Sequence, residues 1–166
     1  MIKKIFVLAT MLISTLGCAQ KEETTFKKEG LENVMVTTEN QPITFAEILK
    51  KYEGKTIVID VWASWCSDCI KGMPKVKALQ EKYPDATYLF ISMDKTYEAW
   101  LKGIAKYDVK GEHYLTSDGM KGVFGKSISL DWIPRYMIVD KTGKIALYKV
   151  IEADDEKLIK TLESLK

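Results

Sequence analysis

Residues 57–69, Ile-Val-Ile-Asp-Val-Trp-Ala-Ser-Trp-Cys-Ser-Asp-Cys, constrain this chain more than any other stretch. The apolar, largely β-branched run suits a strand buried on both faces of a parallel sheet. It ends at two cysteines two residues apart, and a helical pattern follows at once. That spacing lets the sulfurs close a small disulfide ring, while the start of the helix favours a thiolate on the first. The arrangement points to thiol–disulfide exchange. Cys66 is expected to attack and form a mixed disulfide, and Cys69 to resolve it. A structural disulfide and half of a zinc site are the competing readings of such a pair. Zinc needs about four ligands, and only His113 and Cys18 remain to supply them, so no metal and no cofactor is expected.

The 166 residues suit one domain, and a net charge of +2 gives no reason to expect nucleic acid as a partner. The surroundings of Cys18, the third cysteine, account for it. Lys3 and Lys4 precede an apolar run from Ile5 to Leu16, too short to span a bilayer and typical of a secretory signal. Gly17-Cys18 follows and resembles the lipobox of bacterial lipoproteins, with Thr15 where leucine is usual. Lipidation of Cys18 is set against ordinary signal cleavage. The expected organisation is a signal peptide over 1–17, a polar tether over 18–30 and one domain over 31–166. No later hydrophobic span occurs, so the domain is expected to be soluble, extracytoplasmic and held to a membrane by its lipid anchor.

Along the domain, Val34–Val36 suggests a short strand. Thr44 and Glu47 have the spacing of a capping box, opening a helix that Gly54 can close. Residues 56–63 and 88–93 read as strands, and 67–83 as a helix that Pro74 should kink. Tyr97, Trp100, Leu101 and Ile104 form a helical stripe, with Trp100 read as core. Residues 113–115 read as a short strand or loop, and 120–124 as a short helix. Arg135–Val139 and Lys144–Val150 read as strands joined by the turn Asp140-Lys141-Thr142-Gly143. Leu158, Ile159, Leu162 and Leu165 mark a terminal helix. The order β-α-β-α, insertion, β-β-α predicts an α/β layer structure.

These residues resemble the thioredoxin superfamily, and within it the TlpA/ResA-like extracytoplasmic branch, from about Val34 to the C-terminus. Asp60 stands six residues before Cys66, where thioredoxins keep a buried aspartate. Trp62-Ala63-Ser64-Trp65-Cys66-Ser67-Asp68-Cys69 resembles the active-site stretch, Pro74 falls at the helix kink, and Trp132 to Asp140 resembles the cis-proline segment. The resemblance implies a thioredoxin-like fold, a central mixed sheet flanked by helices with an N-terminal extension and a central insertion. It implies a cis bond at Ile133–Pro134, the Ile133 backbone and Trp65 facing the substrate, and Asp60 taking the resolving thiol's proton. Gly72 departs from the branch, many of whose members have a glutamate there.

The function expected is reduction of protein disulfides, in cytochrome c maturation or related thiol maintenance, recharged by a membrane electron donor. Asp68 beside the thiolate opposes its stabilisation and favours a reducing pair. Three alternatives stay open: a disulfide-donating oxidant, a metallochaperone or other binding module without redox turnover, and a peroxide reductase. The last lacks a threonine and arginine near Cys66. His113 is read as non-catalytic.

Overall fold

The computed structural model describes residues 23–108, 110–116 and 118–166. The expected signal peptide, Cys18 and the first residues of the expected tether lie outside them. Within them, thirteen elements follow in the order α1 (Lys28–Leu31), β1 (Val34–Thr37), β2 (Pro42–Thr44), α2 (Phe45–Lys51), β3 (Ile57–Trp62), α3 (Ser67–Lys82), β4 (Thr87–Ser92), α4 (Tyr97–Tyr107), β5 (Glu112–Leu115), α5 (Val123–Ser127), β6 (Arg135–Val139), β7 (Ile145–Val150) and α6 (Glu156–Ser164). The strands form one mixed sheet in the order β2-β1-β5-β4-β3-β6-β7.

The centre of that sheet is where the sequence is most apolar. All six residues of β3 are buried, because the strand pairs parallel with β4 on one side and antiparallel with β6 on the other. A strand so enclosed offers water neither edge nor face, which is why it reads as a near-continuous apolar run. Asp60 is the exception in it. β4 passes the sheet on to β5 in parallel, and β1 and β2 complete that side antiparallel. On the other side β6 and β7 form the expected hairpin, with Gly143 at φ +82 in its turn.

The capping box is formed as its spacing implied: the Glu47 amide donates to Thr44 Oγ1 while Glu47 accepts from the Thr44 amide. α3 runs as one helix through Pro74, which has no N–H to give the Ile70 carbonyl. Three local readings shift. Residues 112–115 are a strand, tied to both β4 and β1. The short helix starts at Val123 rather than Met120, because Asp118 accepts the Val123 amide at 2.7 Å. Pro42–Thr44 is an edge strand, held by backbone pairing with β1 that three residues beginning with proline do not advertise.

The domain also engages residues that read as tether. Ile145 donates its amide to the Thr24 carbonyl at 2.9 Å, and Phe26 meets the Phe45 ring edge-on at 4.9 Å. Phe45 in turn meets Phe124 at 5.0 Å, so the three rings join the segment leading into α1 with α2 and α5 in one apolar cluster. Gly30 is buried there, where a Cβ would run into Ser127. Phe26 is the one large apolar side chain among the charged residues around it, too isolated to show a periodic pattern.

Phe45 is completely buried between two rings. Phe45→Ala should therefore cost about 3–5 kcal/mol. Urea unfolding should show this as a lower midpoint with little change in slope.

Candidate functional site

The two cysteines stand where β3 gives way to α3, at the carboxyl end of the central strand. Ligands of open α/β sheets gather beyond such ends. Cys66 is the N-cap of α3, and its Sγ accepts the Cys69 amide at 3.1 Å. This is the position at which a helix offers unpaired amides and the positive end of its dipole. The pair is closed as a disulfide, with the Cα atoms 5.3 Å apart. Cys66 is 7% exposed and Cys69 1%, so the first sulfur is the one nearer the surface.

The turn that delivers Cys66 is fixed from the neighbouring strand. Asp94, just past β4, accepts the Ser64 amide at 3.0 Å, the Ser64 hydroxyl at 2.7 Å and the Ser92 hydroxyl at 2.8 Å. α4 comes close at Gly103, where an added Cβ would sit 2.5 Å from Ser64 Cβ. Nothing in the sequence singled out Asp94 as a support. An aspartate just beyond a buried strand reads equally as a loop residue.

Ile133 and Pro134 face this turn. The Ile133–Pro134 bond is cis, and the Ile133 carbonyl lies 3.6 Å from Cys66 Sγ. Trp65 and Trp132 are each more than half exposed, although both are large and apolar. They flank a cleft of about 460 Å³ whose lining also includes Cys66, Met120 and Ile133. Trp132 was not singled out from sequence, where it read as part of a longer resemblance. The segment before Pro134 is held by Arg135, which is wholly buried. Its guanidinium donates to the carbonyls of Ile128 at 3.2 Å and Ser129 at 3.3 Å, and to Asp131 at 2.5 Å. Asp131 also pairs with Lys149, which, ahead of Arg135, holds its carboxyl down to about 2.

Asp60 lies in β3 and is 4% exposed. Burial raises its pKa to about 8, and only the Tyr136 hydroxyl works against that rise. Among the described residues its Oδ1 has no hydrogen-bond partner. A carboxyl in this state takes up and releases a proton near neutrality, as an acid–base partner for a thiol must. Asp68 is exposed and pairs with Lys71 at 3.6 Å, which offsets part of its charge beside Cys66. His113 stacks on Phe90 in β5, two strands away from β3. Among the described residues no group of three His, Cys, Asp or Glu is placed to hold a metal.

The family model described as thioredoxin-like matches residues 54–145. The thiol-disulfide oxidoreductase ResA of Bacillus cereus is 28% identical over 142 residues, covering 84% of this chain and 78% of its own. The solution structure of a Bacteroides vulgatus protein described as a thiol-disulfide oxidoreductase superposes with a TM-score of 0.66 at 29% identity, covering 80% of this chain and 84% of its own. A Bacteroides fragilis thiol-disulfide oxidoreductase, 20% identical, shares the fold with a TM-score of 0.68, over 80% of this chain and 96% of its own. The chain belongs to the thioredoxin-like family, in the branch of the thiol–disulfide oxidoreductases.

The buried carboxyl makes stability depend on pH. Asp60 titrates near 8 when folded and near 3.8 in a free side chain, so the folded state holds its proton more tightly. Stability is unimpaired below about pH 4, falls as pH rises towards 8, and levels off beyond. Asp60→Asn should therefore match the parent near pH 4 and exceed it by a few kcal/mol at pH 8–9. Urea unfolding of the oxidised proteins across pH measures the difference.

Proposed function

We propose that this oxidoreductase reduces protein disulfides outside the cytoplasm, with Cys66 as the attacking thiolate, Cys69 as the resolving thiol and Asp60 as the proton acceptor. The observation that carries the reading is the unequal access of the two sulfurs. Cys66 caps α3 at the edge of the cleft between Trp65 and Trp132, whereas Cys69 is sealed beneath it.

In the reduced enzyme the Cys66 thiolate attacks one sulfur of a substrate disulfide, whose other sulfur leaves as a thiolate and picks up a proton. The Cys69 amide that meets Cys66 Sγ, with the helix dipole behind it, stabilises its anionic form before attack. Trp65 and Trp132 offer apolar surface on either side, and the Ile133 backbone is close enough to pair with an extended substrate. Asp60 then accepts the Cys69 proton, and the Cys69 sulfur attacks Cys66. The substrate's second sulfur leaves, and the Cys66–Cys69 disulfide holds the two oxidising equivalents. A membrane electron donor returns two electrons to complete the cycle.

The setting we infer is a secretory signal over 1–17, acylated Cys18 and a polar tether, shorter than the sequence alone suggested because packing begins at Thr24. Among the described residues no helix is long and apolar enough to cross a membrane. The substrate class is secreted proteins with oxidised cysteine pairs, the haem-site cysteines of cytochromes c among them. Asp68, set against the helix dipole, supports a reducing couple between roughly −270 and −180 mV.

Cys69→Ser should accumulate a stable mixed disulfide with a peptide disulfide, and Cys66→Ser should form none, as read by intact mass. Equilibration of the parent with glutathione should give a potential within the proposed range. A value near roughly −120 mV would make the enzyme a disulfide donor instead.

A further inference from the structure

Asp60 is sealed within the sheet, yet its proposed task requires it to gain and lose a proton in each cycle. Tyr136 is its cross-strand partner in the antiparallel β3–β6 ladder, so the two side chains leave the same face of the sheet. Tyr136 is itself 2% exposed. Its hydroxyl interacts with the Asp60 carboxyl and reaches across to α3, ending 3.5 Å from where a Cβ on Gly72 would stand. Gly72 follows Cys69 by three residues, one turn along the same helix. The hydroxyl therefore bridges the layer between the buried carboxyl and the turn that carries the resolving cysteine. The missing side chain at Gly72 leaves it that place.

We propose that Tyr136 is a positioning residue for the resolving step: its hydroxyl, lodged against Gly72, orients the Asp60 carboxyl and steadies it in both protonation states. A hydroxyl suits this task because it donates to a carboxylate and accepts from a carboxylic acid. The second role matters in the enclosed site, since among the described residues Asp60 Oδ1 has no hydrogen-bond partner. In the step itself the proton passes from Cys69 Sγ to the Asp60 carboxylate and the Cys69–Cys66 bond forms. The Cys66–substrate bond breaks, its electron pair leaving with the substrate sulfur. Tyr136 neither gains nor loses a proton.

The charged groups around this pair are few. On α3, Lys75 binds Glu152 at 2.7 Å and Asp154 at 3.0 Å, both beyond β7. Those two carboxylates act on Tyr136 through space, and Asp60 acts on it both through space and through the hydroxyl. Among the described residues no cation acts on Asp60, and the Tyr136 hydroxyl is what offsets its burial. The inference rests on the assignment of Asp60 to proton transfer.

The test is Tyr136→Phe, which removes one oxygen and keeps the ring. Resolution of a preformed Cys66–peptide mixed disulfide is followed by stopped flow from pH 5 to 10, alone and in an Asp60→Asn background. Without the donor, the midpoint of the Asp60-dependent limb should rise by about one pH unit, slowing resolution about tenfold at pH 7. Attack by Cys66 should be unchanged, and Tyr136→Phe should add nothing to Asp60→Asn. Equal slowing at every pH, or the same loss in both backgrounds, would reduce Tyr136 to packing and overturn the inference. A parent enzyme that forms the mixed disulfide but resolves it with no Asp60-dependent limb would overturn both this role and that of Asp60, leaving Cys66 and Cys69 in place.

Discussion

The chemistry of this molecule depends on one short hydrogen-bonded contact, the Cys69 amide directed at Cys66 Sγ. A helix must leave its first amides unpaired, and here a sulfur takes the capping place that serine or aspartate usually fills. An anionic sulfur is a better acceptor there than a neutral one, so the cap favours the reactive form of the residue. The contact requires β3 to end, turn and start α3 within a few residues. That explains the weight of supports on so short a turn: Asp94 grips Ser64 from beyond β4, and Gly103 lets α4 press against it. Arg135 performs the matching task opposite, fixing the carbonyls and the aspartate that precede Trp132.

The parts legible in the sequence are those whose cause is local. The buried strand, the cysteine pair, the capping box at Thr44 and the Gly143 hairpin each follow from a few adjacent side chains, and each is found where its pattern implies. The unreadable parts arise from contacts between distant segments. Phe26 belongs to the core because Phe45 and Phe124 meet it, which no neighbour of Phe26 reveals. β2 exists because β1 lies beside it. Tyr136 and Arg135 are adjacent in a strand that reads as apolar, and their roles appear only once β6 is set against β3 and the 128–131 segment is folded over Arg135.

Asp60 and Arg135 invite comparison, since both are ionisable side chains removed from water in the same sheet. Arg135 has its charge compensated: two carbonyls and a carboxylate take donors of its two terminal nitrogens, only Nε staying unpaired among the described residues, and Asp131 is held by Lys149 as well. A buried cation so paired serves as a rigid strut, and the loop it holds is the one carrying Trp132 and Ile133. Among the described residues Asp60 is left short of partners, with one oxygen unpaired and no cation acting on it. Stability alone would favour pairing it, since an uncompensated buried charge is among the costlier features a core can contain.

That shortage suits Asp60 to the acid–base role proposed for it. A fully paired carboxylate holds its charge across the neutral range and has no affinity for a thiol's proton, whereas one raised to about 8 exchanges it near the pH at which thiols ionise. The same burial that weakens the folded state above pH 4 therefore matches the carboxyl to Cys69. Had Lys75 reached Asp60 instead of Glu152 and Asp154, the site would be more stable and its carboxyl too acidic to serve. The hydroxyl of Tyr136 lies between these extremes. It moderates the cost of burial without supplying the full charge that would abolish the proposed acid–base role.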